Sequence, residues 1–331
     1  MLNVFLTVDT EVWPFSTGWP RVPLASTHSD FTAEMEFYIR GNTDKGSFGV
    51  PFQLACLNEH GLKATYFVES LFAGVAGLKP LKEIVSLIQD QGQEVQLHGH
   101  TEWLGEIRDP ALPGHFRQYL RQFSEAEQIA IIGRAVANLR KAGANNVCAF
   151  RAGSFGANFD TLRALAAHGI KFDSSHNTCL LNAECGLDTG YLLAQPQLME
   201  GVYEFPMSFF GDFPGHYRHA QLCACSFGEM TEALLGAWQA SWYAFVILLH
   251  GSELLGERKS FSKPAAPNTI LVRRFRKLCG FLADNRDKFS TAVFSEIELA
   301  SIPQQRALRP LKTGVHRTAW RVAEQLVGRI L

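Results

Sequence analysis

Two carboxylates follow an apolar run near the N-terminus. Val4, Phe5, Leu6 and Val8 lead directly into Asp9, Thr10 and Glu11. A short apolar run of this kind predicts a buried strand, so the two acids lie where the strand leaves the sheet. In parallel α/β proteins, catalytic and ligand-binding residues collect at that carboxyl edge. Asp9 and Glu11 are therefore the first candidates for a chemical role.

A second group is the segment Leu97-His-Gly-His-Thr-Glu102, which predicts a metal-binding turn. Imidazole and carboxylate groups are suitable ligands for Zn²⁺ or another first-row cation. Along an extended backbone, His98 and His100 point to the same side. If the chain instead turns helical after His98, Glu102 comes round to that side. The sequence leaves open whether His100 or Glu102 completes the site.

Three further predicted strands end in residues that can take part in chemistry. Arg151, Asp173 and His250 each follow a short apolar run. Each has an ordinary structural explanation, such as an ion pair or a buried histidine. Their coincidence at one predicted edge, together with the two groups above, favours a functional site.

The elements that must position these residues recur as a helix, a glycine and a strand. Helical periodicity is found at 52–60, 80–90, 124–142 and 162–168, with strands at 63–68, 94–98, 147–151 and 170–173. Glycine just after a helix is a stop signal, Ser124-x-x-Glu127 is a capping box, and Pro80 is expected at the first helical position. This alternation predicts parallel strands with helical crossovers.

Further strands are predicted at 202–205, 245–250 and 291–294, which gives about eight in all. The fold class predicted is α/β, as a distorted (β/α) barrel of seven to eight parallel strands over residues 1–300. An open doubly wound sheet is the alternative. Residues 13–51 are too long for an ordinary connection and predict a loop or cap over the strand edge. A chain of 331 residues is consistent with one large domain.

Composition excludes several classes of protein. The 31 basic and 32 acidic residues nearly cancel, so general nucleic-acid affinity is not expected. The sequence has no glycine-rich phosphate-binding motif and no apolar run long enough to cross a membrane. The N-terminus lacks the basic region of a signal peptide, and the seven cysteines are expected to be reduced. These features predict a cytoplasmic protein.

The last segment, 301–331, has a different composition. From Pro303 onwards, six basic residues are accompanied by one acidic residue, Glu324, and apolar residues recur with helical spacing. The segment predicts a basic amphipathic helix. It either packs on the domain or lies on the surface, where it would contact an anionic membrane or a partner.

The ordered set of motifs resembles the polysaccharide deacetylases, also called NodB-homology carbohydrate esterases. Thr7-Val-Asp-Thr-Glu11 is similar to the first motif of that family, and His98 to Glu102 partly matches its H-[ST]-x-x-H motif. Arg151 to Asn158 is close to the R-x-x-x-G-x-x-N/S motif. Strands ending in Asp173 and in Leu249-His250 follow in the expected order, so that the resemblance covers roughly residues 2–294.

The resemblance implies hydrolysis of the N-acetyl group of a sugar by metal-activated water. Asp9 is then the base and His250 the acid that protonates the departing amine. Arg151 would keep Asp9 ionised and oriented, and Asp173 would fix the tautomer and charge of His250. One divalent cation is implied, with Zn²⁺ first and Co²⁺, Ni²⁺ or Mn²⁺ as alternatives.

The chain departs from the family pattern at two places. Thr10 replaces the usual second aspartate, which makes Glu11 the natural substitute as a metal ligand. Glu102 replaces the last histidine of the second motif, so the third ligand is Glu102 or His100 beside His98. A glutamate in place of a histidine makes the site harder and more anionic, so the identity of the metal stays open.

The expected substrate is a nucleotide-linked or lipid-linked N-acetyl sugar in surface-polysaccharide assembly, such as O-antigen or capsule. The tracts at 13–20 and 209–219 are aromatic and are predicted to be loops, and their rings could stack on sugar rings. Contact with a membrane through the C-terminal helix is a further expectation. Two alternatives stay open: hydrolysis of a cyclic amide or imide on the same fold, and a catalytically inactive carbohydrate-binding barrel.

Overall fold

A computed structural model describes residues 1–16, 18–24, 31–256, 265–303 and 309–330, with only the backbone described at 327–330. Within these residues the strands are β1 (Leu2–Thr10), β2 (Asn42–Thr43), β3 (Gly46–Ser47), β4 (Thr65–Glu69), β5 (Glu94–Gly99), β6 (Ala149–Ala152), β7 (Phe172–Asp173), β8 (Gln197–Met199), β9 (Val202–Glu204), β10 (Phe209–Phe213), β11 (His216–His219), β12 (Ala244–His250), β13 (Phe289–Thr291) and β14 (Leu311–Lys312). The helices are α1 (Thr32–Met35), α2 (Val50–Glu59), α3 (Ala73–Ala76), α4 (Leu78–Gln89), α5 (Glu125–Lys141), α6 (Phe159–Ala167), α7 (Phe227–Gln239), α8 (Thr269–Asp284) and α9 (Val315–Ile330).

The main sheet has nine strands in the order β12-β1-β4-β5-β6-β7-β9-β8, with β13 also pairing with β1. Within the described residues every pair of neighbours in this sheet is parallel except β8 and β9, which are antiparallel. The sheet curls into a half-barrel with helices outside it, so the predicted α/β class and distorted barrel are confirmed. Eight parallel strands agree with the predicted seven to eight.

Local signals explain most of the elements that flank the sheet. β1 is mostly apolar from Leu2 to Val8, and every residue from Val4 to Thr10 is buried, as expected for a strand inside a barrel. Ser124 accepts a hydrogen bond from the backbone N–H of Glu127, which confirms the capping box at the start of α5. Pro80 is not at the first helical position as predicted, because α4 already begins at Leu78. The first turn of a helix lacks backbone partners anyway, so a proline fits there.

Three segments differ from their predicted form. Residues 13–51 are irregular only in part, since they also contain α1, a π-helical turn at Glu36–Arg40 and the short hairpin of β2 and β3. The strand predicted at 291–294 is β13, which ends at Thr291, and a 3₁₀ turn occupies Phe294–Glu296. The aromatic tract at 209–219 is not a loop but an antiparallel hairpin of β10 and β11.

The C-terminal segment is attached to this hairpin. β14 pairs in parallel with β10, and α9 then packs against β10 and α7. None of the helices in the described part of the chain has both the length and the apolar composition needed to cross a bilayer. The predicted helix at the C-terminus is therefore present, and it lies on the domain. The boundary predicted at residue 300 stays a prediction.

Candidate functional site

Strand register brings the predicted residues to one edge of the half-barrel. Asp9 is level with His250 on the neighbouring strand β12, and His98 on β5 is level with Arg151 on β6. Neighbouring parallel strands lie about 4.8 Å apart, so side chains at one level can meet. The apolar runs that end at these residues thus determine where the site lies.

Glu11, His98 and His100 form a compact group of metal-ligating side chains. The Oε1 atom of Glu11 lies 3.0 Å from Nε2 of His98 and 2.9 Å from Nε2 of His100. Donor atoms of Asp9, Glu11 and His250 also lie within 4.8 Å of one another. Glu11 belongs to both groups and is therefore at the centre of the site.

The other ring nitrogens show that both histidines are prepared to bind a cation. Nδ1 of His98 lies 2.8 Å from the carbonyl oxygen of Arg151, and Nδ1 of His100 lies 3.2 Å from Oε2 of Glu102. A carbonyl and a carboxylate only accept hydrogen bonds, so each Nδ1 carries the proton. In the neutral rings both Nε2 lone pairs then face the same oxygen of Glu11. A cation among these atoms resolves that repulsion, and the donor set fits one.

The alternative left open between His100 and Glu102 is decided by geometry. His100 faces Glu11, whereas Glu102 lies behind the imidazole ring and contacts its far nitrogen. The chain turns into a 3₁₀ helix at Thr101–Gly105 only after His100, so both histidines stay on the extended backbone and share a side. Glu102 is thus placed to orient His100, and its predicted role as a metal ligand is not supported by this arrangement.

The carboxylates and imidazoles of this group shift one another's pKa values. Burial alone would lower the pKa of His100, but the carboxylates of Glu11 and Glu102 raise that pKa well above its usual value. Burial alone would raise the pKa of Glu11, but His100 and His98 hold it well below its usual value. The group thus favours an ionised Glu11 carboxylate among positive charge.

Asp9 is held by a buried arginine, as the resemblance implied. Nη1 of Arg151 donates to Oδ1 of Asp9 over 2.7 Å, and the guanidinium is fully buried. Nε and Nη2 of Arg151 donate to the carbonyl and the hydroxyl of Ser174. The guanidinium also lies over the ring of Phe67, 4.5 Å from its centroid. These contacts fix the Asp9 carboxylate in one orientation.

His250 has a different carboxylate partner from the one predicted. Oε2 of Glu253 lies 3.8 Å from Nδ1 of His250 and accepts a hydrogen bond from its backbone N–H over 2.8 Å. Burial alone would lower the pKa of His250, but Glu253, Glu11 and Asp9 raise it to about 9. These carboxylates therefore favour the imidazolium form of His250.

Asp173 does not contact His250 among the described residues, so its predicted role of fixing this histidine is not supported by this arrangement. Its carboxylate accepts hydrogen bonds from the hydroxyl and backbone N–H of Ser175. It also lies close to the carboxyl group of Glu204, its neighbour in register on β9. Burial raises the pKa of both acids, and Asp173 raises that of Glu204 further. Asp173 lies one strand beyond Arg151, on the far side from β12.

Three residues at the site were missed from the sequence. Glu253 is three residues after His250, a spacing that brings both together once the chain turns. Glu69 ends β4 level with His98, and burial raises its pKa to about 7. Gly153 lies so close to His100 that a Cβ there would be 2.6 Å from Nδ1 of its ring. Only the glutamate ending β4 had a signal, the same strand-end position that identified Asp9.

Trp13 closes one side of the site. Its Nε1 donates to Oε2 of Glu11 over 2.8 Å, and its ring packs edge-on against His100 at 4.5 Å. Behind it, Trp19 and the fully buried Trp103 extend an aromatic cluster. The segment after β1 therefore covers the strand edge, as the length of that segment suggested. Glu11 keeps one oxygen for the histidines and the other for the indole.

A family model agrees with the motif resemblance. The model for polysaccharide deacetylase matches residues 44–172, which include His98, His100, Glu102 and Arg151 but not Asp9, Glu11, Asp173 or His250. The predicted resemblance to this family is thereby confirmed. No curated protein is similar enough in sequence to be matched.

A solved structure with a TM-score above 0.5 shows the same fold, and two others with lower scores are similar more loosely. A candidate polysaccharide deacetylase from Mycobacterium smegmatis superposes with a TM-score of 0.54 at 17% identity, covering 93% of this chain and 94% of its own. The Bc1960 peptidoglycan N-acetylglucosamine deacetylase has a TM-score of 0.42 at 17% identity, covering 93% and 90%. A family 4 carbohydrate esterase from Streptomyces lividans has a TM-score of 0.41 at 12% identity, covering 88% and 92%. At these identities the likeness supports the fold alone.

Proposed function

We propose that this relative of the polysaccharide deacetylases is a metal-dependent hydrolase that removes the N-acetyl group from a sugar. The observation that supports it best is the pair of imidazoles whose Nδ1 protons are committed elsewhere and whose Nε2 atoms converge on Glu11. Two histidines and one acid, beside a buried Asp–Arg pair and a charged histidine, supply the groups needed for amide hydrolysis.

Glu11, His98 and His100 would hold the cation, and Glu102 and the Arg151 carbonyl would orient the two rings. A divalent cation at this position would lower the pKa of water and polarise the acetyl carbonyl. Asp9 is the base, because Arg151 fixes its Oδ1 and leaves the other carboxylate oxygen to take a proton. His250 is the acid that protonates the departing amine, and Glu253 keeps it charged.

The substrate we propose is an N-acetylated sugar linked to a nucleotide or a lipid in the cytoplasm, used for a surface polysaccharide. The half-buried ring of Trp13 packs against His100, the half-buried ring of Trp19 lies beside it, and aromatic faces stack well on sugar rings. The balance of 31 basic and 32 acidic residues gives no general attraction to nucleic acid.

The test combines metal content with acetate release. Wild-type protein purified without a tag is expected to contain about one divalent ion per chain by elemental mass spectrometry and to release acetate from N-acetyl sugars. His98→Ala should lose both. His115→Ala, at an exposed histidine outside the site, is the matched control and should keep both.

The other outcomes point to the alternatives. Ring opening of cyclic amides or imides without acetate would support the amidohydrolase function instead. If wild type binds little metal after incubation with Zn²⁺, Co²⁺ and Ni²⁺, and His98→Ala alters only stability, the hydrolase proposal fails. An inactive carbohydrate-binding barrel would then be the better explanation.

A further inference from the structure

Helix α9 is attached to the domain through its polar side. Arg321, buried at 5% exposure, donates to Glu229 and to Asp212, both over 3.1 Å. The hydroxyl of Thr318 donates to the backbone carbonyl of Asp212 over 2.9 Å. Glu324 accepts from Arg274 over 3.0 Å. A helix held by these contacts cannot turn its apolar side inward.

The apolar side of α9 therefore faces outward. Val315, Val322 and Leu326 are 60%, 45% and 56% exposed, and Ala319 between them is exposed too. Their spacing of three and four residues places them on one face of the helix. A soluble surface helix normally buries this face, so its exposure indicates a surface that binds something.

The hairpin next to α9 continues this apolar surface. Phe213 and Tyr217 are 45% and 37% exposed. With Val315, Pro310 and Pro214 they line a groove of about 600 Å³ between the hairpin and the start of α9. The exposed apolar side chains of two elements thus form one patch, which we call the α9 patch: Phe213, Tyr217, Val315, Ala319, Val322 and Leu326.

Cations lie on the other flank of the exposed side of α9, next to Trp320. Trp320, 64% exposed, borders a pocket of about 370 Å³ that is lined by Arg273, Lys277 and Arg317. Among the described residues, neither Arg273 nor Lys277 forms an ion pair, and both are exposed. Exposed Arg309 and Lys312 extend the positive charge at the start of the helix. Arg274 and Glu324 in the same pocket pair with each other, and Arg317 pairs with Glu232, so Arg273 and Lys277 leave the pocket with net positive charge beside an exposed indole.

We propose that the α9 patch docks on a bilayer that contains anionic phospholipid. Val322 and Leu326 enter the acyl boundary, Trp320 lies at headgroup level, and Arg273 with Lys277 receives a lipid phosphate in the pocket. Amphipathic helices with a basic border and an indole at the interface bind membranes in this manner. A second copy of the chain is a poorer occupant, because a two-fold contact would bring the same cations together. The proposal does not depend on the reaction at the metal site.

Vesicle co-sedimentation of the full chain tests the proposal. Vesicles of phosphatidylcholine alone are compared with vesicles that also contain phosphatidylglycerol, at low and high salt. Arg273→Gln with Lys277→Gln should weaken binding to the anionic vesicles roughly 25-fold, since each cation near the surface contributes about fivefold. Val322→Ser with Leu326→Ser should weaken it about tenfold or more. Lys79→Gln with Lys82→Gln, exposed on α4, is the matched control.

The proposal is supported if wild type binds anionic vesicles, both double substitutions weaken that binding, and the control leaves it unchanged. Equal binding by all variants, or none by wild type, would overturn it. If wild type does not bind vesicles but is a dimer in sedimentation velocity, and Val322→Ser with Leu326→Ser abolishes that dimer, then a second copy covers the patch and the proposal is overturned. Acetate release from a soluble substrate should be unchanged in both pairs, which separates this test from that of the proposed function.

Discussion

Replacing Glu102 with glutamine tests whether His100 or Glu102 binds the metal. Glu102 contacts only the Nδ1 side of His100, at 3.2 Å, while Nε2 of the same ring faces Glu11 at 2.9 Å. Glutamine keeps the shape of the side chain and an oxygen that can accept from Nδ1, but it removes the charge. Outer partners of metal-bound histidines typically contribute 10- to 100-fold to affinity. We therefore expect Glu102→Gln to weaken Zn²⁺ binding by that factor, about 1.4–2.7 kcal/mol.

His100→Gln provides the comparison, because it removes a donor from the group itself. We expect this variant to lose far more affinity than Glu102→Gln, and to retain metal only at concentrations well above those that saturate wild type. Competition with a chromogenic chelator measures both affinities on the same scale. His115→Gln, at an exposed histidine, is the control and should bind as wild type does. Circular dichroism confirms that each variant is folded.

The variant that loses more metal affinity identifies the ligand. If Glu102→Gln abolishes metal binding while His100→Gln keeps most of it, Glu102 is the ligand and the assignment from geometry is refuted. If both variants bind as tightly as wild type, the cation lies elsewhere. The group of Asp9, Glu11 and His250 would then be the next site to examine.

Three further predictions concern catalysis and stability. Glu253→Gln should lower kcat about 10- to 100-fold with little change in KM, because it loosens His250, the proposed acid, without touching substrate. Burial lowers the pKa of His176 to about 4, so as the pH falls this histidine is protonated in the unfolded chain before it is protonated in the folded one. Between pH 7 and pH 4 the free energy of unfolding, measured with urea, should therefore fall by about 3 kcal/mol more in wild type than in His176→Gln. Arg321→Ala should cost about 3 kcal/mol of stability, as it leaves buried carboxylates without their partner, whereas Arg317→Ala, at a half-exposed ion pair, should cost about 1 kcal/mol or less.

Each of these has a clear contrary result. A rise in KM with unchanged kcat in Glu253→Gln would mean that this glutamate serves substrate binding. Equal acid sensitivity of wild type and His176→Gln would mean that the histidine is hydrated or paired in solution. Similar stability losses in the two arginine variants would show that the buried contacts of α9 do not hold the helix.

Much of the fold and of the site could be predicted from local sequence. The apolar runs before Asp9, His98 and His250 mark strands, and parallel strands end at a common edge, so their last residues must lie close together. The capping box at Ser124 and the glycines after the helices mark boundaries through backbone chemistry that acts within a few residues. These features depend on near neighbours in the chain, and a single sequence contains them.

The partners of the active histidines could not be predicted in the same way. The family resemblance implied that Asp173 is the partner of His250, yet β7 is separated from β12 by several strands, and a turn brings Glu253 there instead. His100 rather than Glu102 faces Glu11 because the backbone stays extended for two residues beyond His98. Both results depend on where the chain turns, which a strand pattern does not specify.

The sequence by itself determined the half-barrel, the edge that carries the chemistry and the amphipathic character of α9. Only the tertiary structure decided which side of that helix is buried. The apolar stripe would be expected to face the domain, but the buried carboxylates of Asp212 and Glu229 need a cation, and Arg321 supplies it. Leaving buried charges unpaired is costlier than leaving three aliphatic side chains in water, so the polar face is turned inward. The orientation of α9 thus depends on residues far away in the sequence, because the strength of a charge pair depends on its burial, and burial exists only in the folded chain.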